Sequence, residues 1–321
     1  AFDAKLVLTN NMPDKDLTAM RVDVTIQDKD GNIKNDVFFT KVSSLQNLTG
    51  VDGAGIVRAG TSAEAHWLII PSAGAGGETT AGIDYWVGAT ITYIVADKQE
   101  SVSVNPDKIT VKPMPQLILD YFMPFNVLGD NPFTKQVEAP VPFPLAVRVL
   151  NDGFGAATKL KIDSAQPKIV SNDQGLLIDF KLLGASVNDS VVSPSLTVNM
   201  GDLASKKIST AYWEMISTLS GRFIEFGVTF SHASELGGEL TSLLKETNAH
   251  YLVHRVKANL PGRDARLDFL ADTDRDAEHL PDALFESEMP GGSTKREDAR
   301  SPVSVIAVVF QPPRPTAQSP D

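Results

Sequence analysis

The residues best suited to chemistry lie close together in "LSGRFIEFGVTFSHASELGGELTSLL", residues 219–244. In a helix, His232, Glu235 and Glu239 would share one face and could hold a metal ion. Such a helix would contain two consecutive glycines, each costing about 1 kcal/mol relative to alanine. The preceding "RFIEFGVTF" alternates as a strand does, and Ser234 lacks the strand–turn–helix context of a nucleophile elbow. The stretch therefore favours a strand that ends in a loop over a catalytic site.

The other histidines do not form a recognisable metal site. His250 and His254 have the spacing of the two histidines in HExxH, but no glutamate lies between them. The segment "HYLVHRV" has the pattern of a strand, in which residues four apart lie roughly 13 Å from each other. A zinc-protease function is therefore not expected.

An acidic run with alternate spacing is the calcium candidate of this chain. It contains Asp272, Asp274, Asp276 and Glu278. Carboxylates at alternate positions imitate the start of an EF-hand loop. However, Ala277 stands where such a loop has glycine, and Ala283 stands where it has glutamate. A solvated acidic loop is therefore the default interpretation, with calcium binding as the alternative, and no other cofactor is expected.

Two tryptophans are candidates for carbohydrate binding. Trp67 and Trp86, with Tyr85 beside the second, could form a platform on which a sugar ring stacks. The alternative is burial, because β-sandwiches place tryptophan in their cores. The glycine-rich loops "GAGIVRAG" and "SAGAGG" lack the GxGxxG spacing of a nucleotide site.

Composition excludes several classes of function. The 321 residues carry a net charge of −11 and no cysteine, which excludes disulfides, thiolate metal sites and cysteine nucleophiles. Basic residues do not cluster, so a nucleic-acid partner is not expected. No apolar run reaches the roughly 18 residues that span a bilayer. The start, "AFDAKLVLTN", predicts a mature or excised piece of a longer polypeptide.

Alternation of apolar and polar residues predicts strands along most of the chain. Met20, Val22, Val24 and Ile26 alternate with polar residues, "DKDGN" at 28–32 predicts a hairpin turn, and "DVFFTKV" is expected to return as the partner strand. "LTSLLKE" is the one helix candidate, and "VSVIAVVF" predicts a late apolar strand. We expect an all-β chain of tandem immunoglobulin-like β-sandwiches: residues 1–113, residues 114–256, and an incomplete third unit with a proline-rich tail over 257–321.

One stretch carries a family resemblance. "LAVRVLNDGFGAATKLKI" is an alternating strand, an Asn-x-Gly-x-Gly-x-Ala turn and a second alternating strand, and it resembles CARDB-type immunoglobulin-like modules of adhesive and surface proteins. Further segments, among them "SAQPKIVSNDQGLLIDF" and "NLPGRD", resemble a repeated segment of very large secreted multidomain proteins, mostly bacterial. The resemblance implies a secreted or cell-surface setting. It transfers no catalytic residue.

These observations predict a non-catalytic structural or adhesive segment of a larger extracellular protein, acting as a spacer or as an assembly module that could form filaments. Its partners would be proteins, or further copies, that pair with edge strands such as "VSVIAVVF". A carbohydrate-binding accessory module and a non-catalytic region of a secreted hydrolase are the alternatives. Asn47 and Asn188 lie in glycosylation sequons, and the sequence leaves their modification open.

Overall fold

In the part of the chain that the structure describes, almost every regular element is a β-strand. A computed structural model describes residues 1–163, 179–222, 243–258, 261–264, 266–274, 280–288, 296–298 and 303–305. Within these ranges the only helical element is a 3₁₀ turn over Asn35–Val37, so the predicted all-β class is confirmed. No helix of the described part is long and apolar enough to cross a membrane. The described residues form two compact units, one within Ala1–Met114 and Ser231–Leu243 and one within Pro115–Phe230 and Leu244–Asp321.

The first unit is a sandwich of two antiparallel sheets. Its strands are β1 (Phe2–Thr9), β2 (Leu17–Gln27), β3 (Phe38–Gln46), β4 (Asp52–Val57), β5 (Ser62–Pro71), β6 (Ile83–Val95) and β7 (Lys98–Val111). One sheet has the order β1–β5–β3 and the other the order β4–β2–β6–β7. Both sheets supply side chains to one core, in which Met20, Ile26, Val57 and Ile69 are at most 1% exposed.

The turn at 28–32 forms as predicted, but the strand pairing expected after it is wrong. Asp28 accepts hydrogen bonds from the backbone N–H groups of Asp30 and Asn32, both at 2.9 Å. The next strand, β3, then pairs with β5 in the opposite sheet instead of with β2. Asn35 explains the change, because its side chain bonds the backbone of Val24 and of Ile26, each at 2.8 Å, in place of a partner strand.

The second unit is built on a ten-stranded sheet. The strands of this unit are β8 (Leu117–Met123), β9 (Asn126–Val127), β10 (Phe143–Asn151), β11 (Ala157–Asp163), β12 (Phe180–Val187), β13 (Ser190–Val192), β14 (Thr197–Leu203), β15 (Ile208–Ser217), β16 (Gly221–Arg222), β17 (Leu244–Ala258), β18 (Asp268–Asp272), β19 (Ala283–Phe285), β20 (Arg296–Asp298) and β21 (Val303–Val305). The large sheet runs β13–β12–β15–β10–β8–β17–β18–β19–β20, and β21 also pairs with β17. Two small sheets, β11–β14 and β16–β9, complete the unit.

The long strand β17 brings two distant parts of the chain together. Its first half pairs in parallel with β8, and its second half pairs with β18 in the antiparallel sense. "HYLVHRV" is thus a strand as predicted, whereas the helix predicted over "LTSLLKE" is wrong for Leu244–Glu246, which begin β17. The strands β18 and β19, from the segment predicted as an incomplete third unit, continue this sheet.

The large sheet is buried on both faces. Its inner face packs on β11 and β14 through apolar residues that include Leu145, Val147, Val149 and Trp213. On the outer face of β8 and β10, Phe122 and Ala146 pack against residues of β18 and β19, which belong to the same sheet. Consecutive residues of a strand point to opposite faces, so both the odd and the even positions of β8 and β10 are enclosed.

A buried asparagine closes the corner between the first two strands of the first unit. Asn10 is 2% exposed and follows β1. Its side-chain N–H groups donate to the carbonyl oxygens of Lys15 at 2.8 Å, Arg58 at 3.2 Å and Val57 at 3.4 Å. Its side-chain oxygen accepts from the backbone N–H of Met12 at 3.1 Å. The corner is therefore held by side-chain bonds to three separate stretches of backbone.

The second unit repeats this corner. Asn151 is fully buried at the end of β10 and donates to the carbonyl oxygens of Gly155 at 2.8 Å, Leu203 at 3.1 Å and Ala204 at 3.2 Å. Its side-chain oxygen accepts from the backbone N–H of Gly153 at 3.1 Å. This is the asparagine of the Asn-x-Gly-x-Gly turn in the sequence. Its role in the structure is to saturate the corner with hydrogen bonds.

Further details show that β1, β2, β4 and β5 correspond to β10, β11, β14 and β15. Ala19 in β2 has a φ of 51° and Lys159 in β11 a φ of 54°, each at a shift in register with the neighbouring strand, β4 or β14. The fifth strand and its counterpart each bury a tryptophan, Trp67 at 5% and Trp213 at 0% exposure. The same sandwich corner, bulge and core tryptophan thus occur twice in one chain.

Candidate functional site

The second unit holds charged side chains inside its large sheet. Asp120 of β8 and Arg148 of β10 lie opposite each other in the register, and each is 4% exposed. They point to the outer face, because their neighbours Leu119, Val147 and Val149 point to the inner core. The Arg148 Nη1 donates to Asp120 Oδ2 at 2.9 Å. Burial of charge is costly unless it is paired, and this pair meets that condition.

The second oxygen of Asp120 is bonded to strand β17. Asn248 Nδ2 donates to Asp120 Oδ1 at 3.1 Å, and His250 Nε2 lies 3.3 Å from the same oxygen. Burial alone would raise the pKa of the Asp120 carboxyl. The hydrogen bond of His250, the charge of Arg148 and the amide of Asn248 together hold that pKa below its ordinary value of 3.8. Asp120 is therefore a carboxylate at neutral pH.

Arg148 also binds the segment that follows β19. Its Nε donates to the carbonyl oxygen of Glu286 at 2.7 Å. The Glu286 side chain, only 1% exposed as a residue, accepts from Arg263 Nε at 2.7 Å. Burial lowers the pKa of Arg148, and the nearby carboxylates Asp120, Asp268 and Glu286 act in the opposite direction. The guanidinium thus joins β8, β10 and the end of β19.

Aromatic rings seal this cluster from the side of β17 and β19. The His250 ring lies 4.5 Å from the Phe285 ring and 5.4 Å from the Phe122 ring, measured between centroids. Phe122 in turn stacks on Phe269 of β18 at 4.6 Å. Asp120 and Arg148 are therefore enclosed, with 4% of each residue exposed, whereas the side chains of His250 and Arg263 keep 14% and 17% exposure.

We call this group of side chains the charged cluster; its members are Asp120, Arg148, Asn248, His250, Arg263 and Glu286. Its groups bind one another and the backbone, and each link joins different strands. A catalytic acid or base must reach the proton that it transfers, within about 3 Å or through one water. The charged cluster links β8 and β10 to β17 and to the residues that flank β18 and β19.

Sequence reasoning missed this cluster. The sequence patterns described above do not predict that titratable groups converge in the second unit. A signal was present, because "LILDYF" and "LAVRVL" each carry one charged residue inside an apolar run. Such a residue on a buried strand needs a partner. The sequence does not say which distant residues supply it.

A second polar site opens beside the end of β12. A cavity of about 140 Å³ is lined by residues that include Asp189, Tyr212, Glu214 and Arg255. The Arg255 guanidinium lies 3.9 Å from the centroid of the Tyr212 ring and donates to Asp189 Oδ1 at 3.1 Å. The Tyr212 hydroxyl donates to the Glu214 carboxylate. Burial raises the pKa of Tyr212 and, despite the opposing effects of Tyr212 and Arg255, that of Glu214.

Two of the four calcium candidates lie in the described residues, and these two differ in burial. Asp272 ends β18 and is 1% exposed, whereas Asp274 is exposed in the following loop. Asp276 and Glu278 lie outside the described residues, as do His232, Ser234, Glu235 and Glu239. Among the described residues there is no group of three or more His, Asp or Glu side chains arranged to hold a metal ion. Calcium binding at the acidic run stays a prediction.

The two tryptophan candidates for carbohydrate binding differ in burial. Trp67 lies in the core of the first sandwich, where it cannot stack on a sugar. Trp86 is half-buried on β6, next to Tyr85, whose hydroxyl donates to the Ala75 carbonyl oxygen at 2.8 Å inside the core. A carbohydrate platform would therefore depend on Trp86 without Trp67, and it stays a prediction.

Comparison of the chain with protein-family models, with curated proteins and with solved structures finds no match in any of the three. The resemblance to CARDB-type modules thus stays a prediction. The function has to be argued from the two units themselves.

Proposed function

We propose that this chain is a non-catalytic structural segment of a larger extracellular or cell-surface protein, in which tandem β-sandwiches act as spacer and assembly modules. The observation that carries the proposal is the repeated corner. Asn10 and Asn151 each donate to three backbone carbonyls and accept from the backbone N–H two residues further on, in two units of one chain. Repetition of one stable module is how chains gain reach and surface without new chemistry.

The polar chemistry of the second unit supports the same proposal. Three of its buried ionic groups, Asp120, Arg148 and Glu286, bond to one another's strands and to the backbone instead of lining an open cleft. Removing one partner of such a pair typically costs about 3–5 kcal/mol.

Light scattering of the intact chain tests the proposal. The native mass would be measured over a wide range of protein concentrations, with calcium and with a chelator. A spacer gives 34.5 kDa at all concentrations, and an assembly module gives a mass that grows with concentration. Either result is unchanged by calcium. A mass that changes only when calcium is added would contradict a calcium-independent spacer or assembly module. It would point instead to calcium binding at the acidic run that begins at Asp272.

The alternative of a carbohydrate-binding module has its own test. Binding to a glycan array would be compared between the native chain and Trp86→Ala, with Trp213→Phe as a control in a buried position. The structural proposal expects no glycan signal. A glycan signal that Trp86→Ala abolishes would replace the proposal with a carbohydrate-binding function.

A further inference from the structure

The first unit has an open edge. Strand β1 lies at one end of the three-stranded sheet, and within the described residues it pairs only with β5. Its inward-facing side chains are half-buried, although they pack against the core of the sandwich. They are Phe2, Ala4, Leu6 and Leu8.

The corresponding residues of the second unit are fully buried. Strand β10 occupies the place of β1, and its inward residues are Phe143 at 4%, Leu145 at 1%, Val147 at 0% and Val149 at 0% exposure. The difference comes from β8, which pairs with the free side of β10 in the antiparallel sense. In the register, Tyr121 lies opposite Val147, and Leu119 lies opposite Val149.

The cover that β8 provides is absent from the described part of the first unit, and a cleft lies there. A cavity of about 180 Å³ separates β1 and β5 from β6 and β7. Its walls include Phe2, Leu6, Trp67, Val87, Val104 and Ile109. Small-molecule pockets typically span about 300–1,000 Å³, so this cleft suits a short row of apolar side chains better than a ligand of that kind.

The corner asparagine has room for the same additional bond. Asn151 Oδ1 accepts a second hydrogen bond, at 3.2 Å, from the backbone N–H of Gln116 just before β8. A side-chain amide oxygen accepts two such bonds. Among the described residues, Asn10 Oδ1 accepts one, from Met12. An added strand would therefore find a backbone acceptor at its start as well as a free edge.

We propose that the β1 edge binds an extended polypeptide segment from outside these 321 residues, antiparallel to β1 and with the chemistry of β8. Its apolar side chains lie opposite Leu6, Leu8 and Asn10 and fill the cleft. Strand β8 itself cannot serve, because it is paired on both sides, with β10 and β17. This site deepens the proposed function, on which it rests, by naming the surface through which the module joins a neighbour.

The test adds a strand to the intact chain. A fluorescent peptide with the sequence of Gln116–Met123, flanked by lysines for solubility, is titrated with the protein. A control peptide has the same composition but adjacent instead of alternating apolar residues. We expect saturable binding at micromolar concentration, with the control peptide at least tenfold weaker. Equal binding of the two peptides, or none, overturns the site.

Matched variants locate the binding on β1. Leu6→Asp places a charge in the cleft and is expected to abolish binding, whereas Val7→Asp lies on the other face, where Val7 is already 54% exposed, and is expected to retain it. Loss in both variants, or in neither, contradicts the proposed register. Because Leu6→Asp could also unfold the unit, amide hydrogen exchange of the native chain provides a second measurement. Peptide binding is expected to slow exchange along β1, and unchanged exchange there overturns the proposal.

The outcomes separate this site from the proposed function. Dimers that form without peptide and that Leu6→Asp abolishes, with Val7→Asp unaffected, would show a second copy on the edge and overturn the external strand. A chain that binds neither peptide nor glycan and stays monomeric keeps its spacer role and loses the edge site. A chain that binds a glycan and also binds the peptide at β1 would keep the edge site and lose the proposed structural function.

Discussion

At the scale of single residues, the two buried asparagines are the most informative. Each donates hydrogen bonds to backbone carbonyls on both sides of a corner. These carbonyls would otherwise lack that partner. An unsatisfied buried backbone group costs about 1–3 kcal/mol. One side chain thus decides whether the corner folds.

Replacing either asparagine by alanine is expected to destabilise the unit that contains it. Asn10→Ala and Asn151→Ala each remove three donated bonds and leave backbone carbonyls without them, at a cost of about 3 kcal/mol or more. Urea unfolding measures the change. The exposed Asn105→Ala on β7 is the control and should leave the midpoint unchanged. A midpoint shift no larger than that of the control would contradict the structural role of the corner.

The Asp120 carboxylate makes stability depend on acid. Its pKa is lowered in the folded state, so it stabilises the fold above its ordinary pKa of 3.8, and this contribution is lost as the pH falls through the lowered value. Asp120→Asn is expected to cost about 3–5 kcal/mol at pH 7. The difference between variant and native chain should narrow below about pH 4.

Unfolding free energies from pH 2 to pH 7 check this expectation. Asp23→Asn removes the exposed partner of Arg21 and provides the control, which should behave as the native chain does. A loss from Asp120→Asn that stays constant down to pH 2 would show that Asp120 acts through shape and not through its charge.

At the scale of elements, the repeated bulge places residues with side chains in the left-handed region. Ala19 and Lys159 have φ values of 51° and 54° in β2 and β11. This conformation costs an L-residue roughly 1–2 kcal/mol, which glycine avoids. The bulge therefore carries strain in both units at the same place.

Ala19→Gly is expected to stabilise the first unit by about 0.5–1 kcal/mol, after allowing for the greater freedom of glycine in the unfolded chain. Thermal unfolding measures the change. Ala4→Gly, in the regular part of β1, is the control and should destabilise the unit by a similar amount. The same sign for both substitutions would refute strain at Ala19.

Sequence patterns predict the faces of these strands well and their partners poorly. The alternation of Met20, Val22 and Ile26 predicts the buried face of β2, which the structure confirms. Alternation carries no information on pairing, so the transfer of β3 to the opposite sheet was not predicted. That transfer depends on the bonds of Asn35 to Val24 and Ile26, which are a tertiary feature.

The candidate sites show the same limit. Trp67 lies in the core, as tryptophans of β-sandwiches generally do. The sequence alone did not decide between core burial and a sugar-binding platform for this residue. The partners of Asp120 lie on β10 and β17, far along the chain, and no local spacing links them. The unpaired edge of β1 becomes visible only by comparison with β10, because both strands carry apolar residues at the same inward positions and differ in what covers them.

At the scale of the whole molecule, the two units have separate cores. The apolar clusters of the first unit and of the second share no residue. Differential scanning calorimetry is therefore expected to show two unfolding transitions. Asn10→Ala should lower the temperature of one transition and Asn151→Ala that of the other. A single transition that both variants shift equally would show that the units unfold as one.

The parallel pairing of β8 with β17 has a consequence for biosynthesis. Leu119 pairs with Thr247, so β8 leaves the ribosome long before the strand that covers its free edge. Contacts between such distant segments form slowly, and an uncovered apolar edge in a nascent chain is prone to aggregation. The second unit should therefore depend on chaperones until β17 has been translated, whereas the sheets formed by β1–β7 can pair as soon as β7 has emerged.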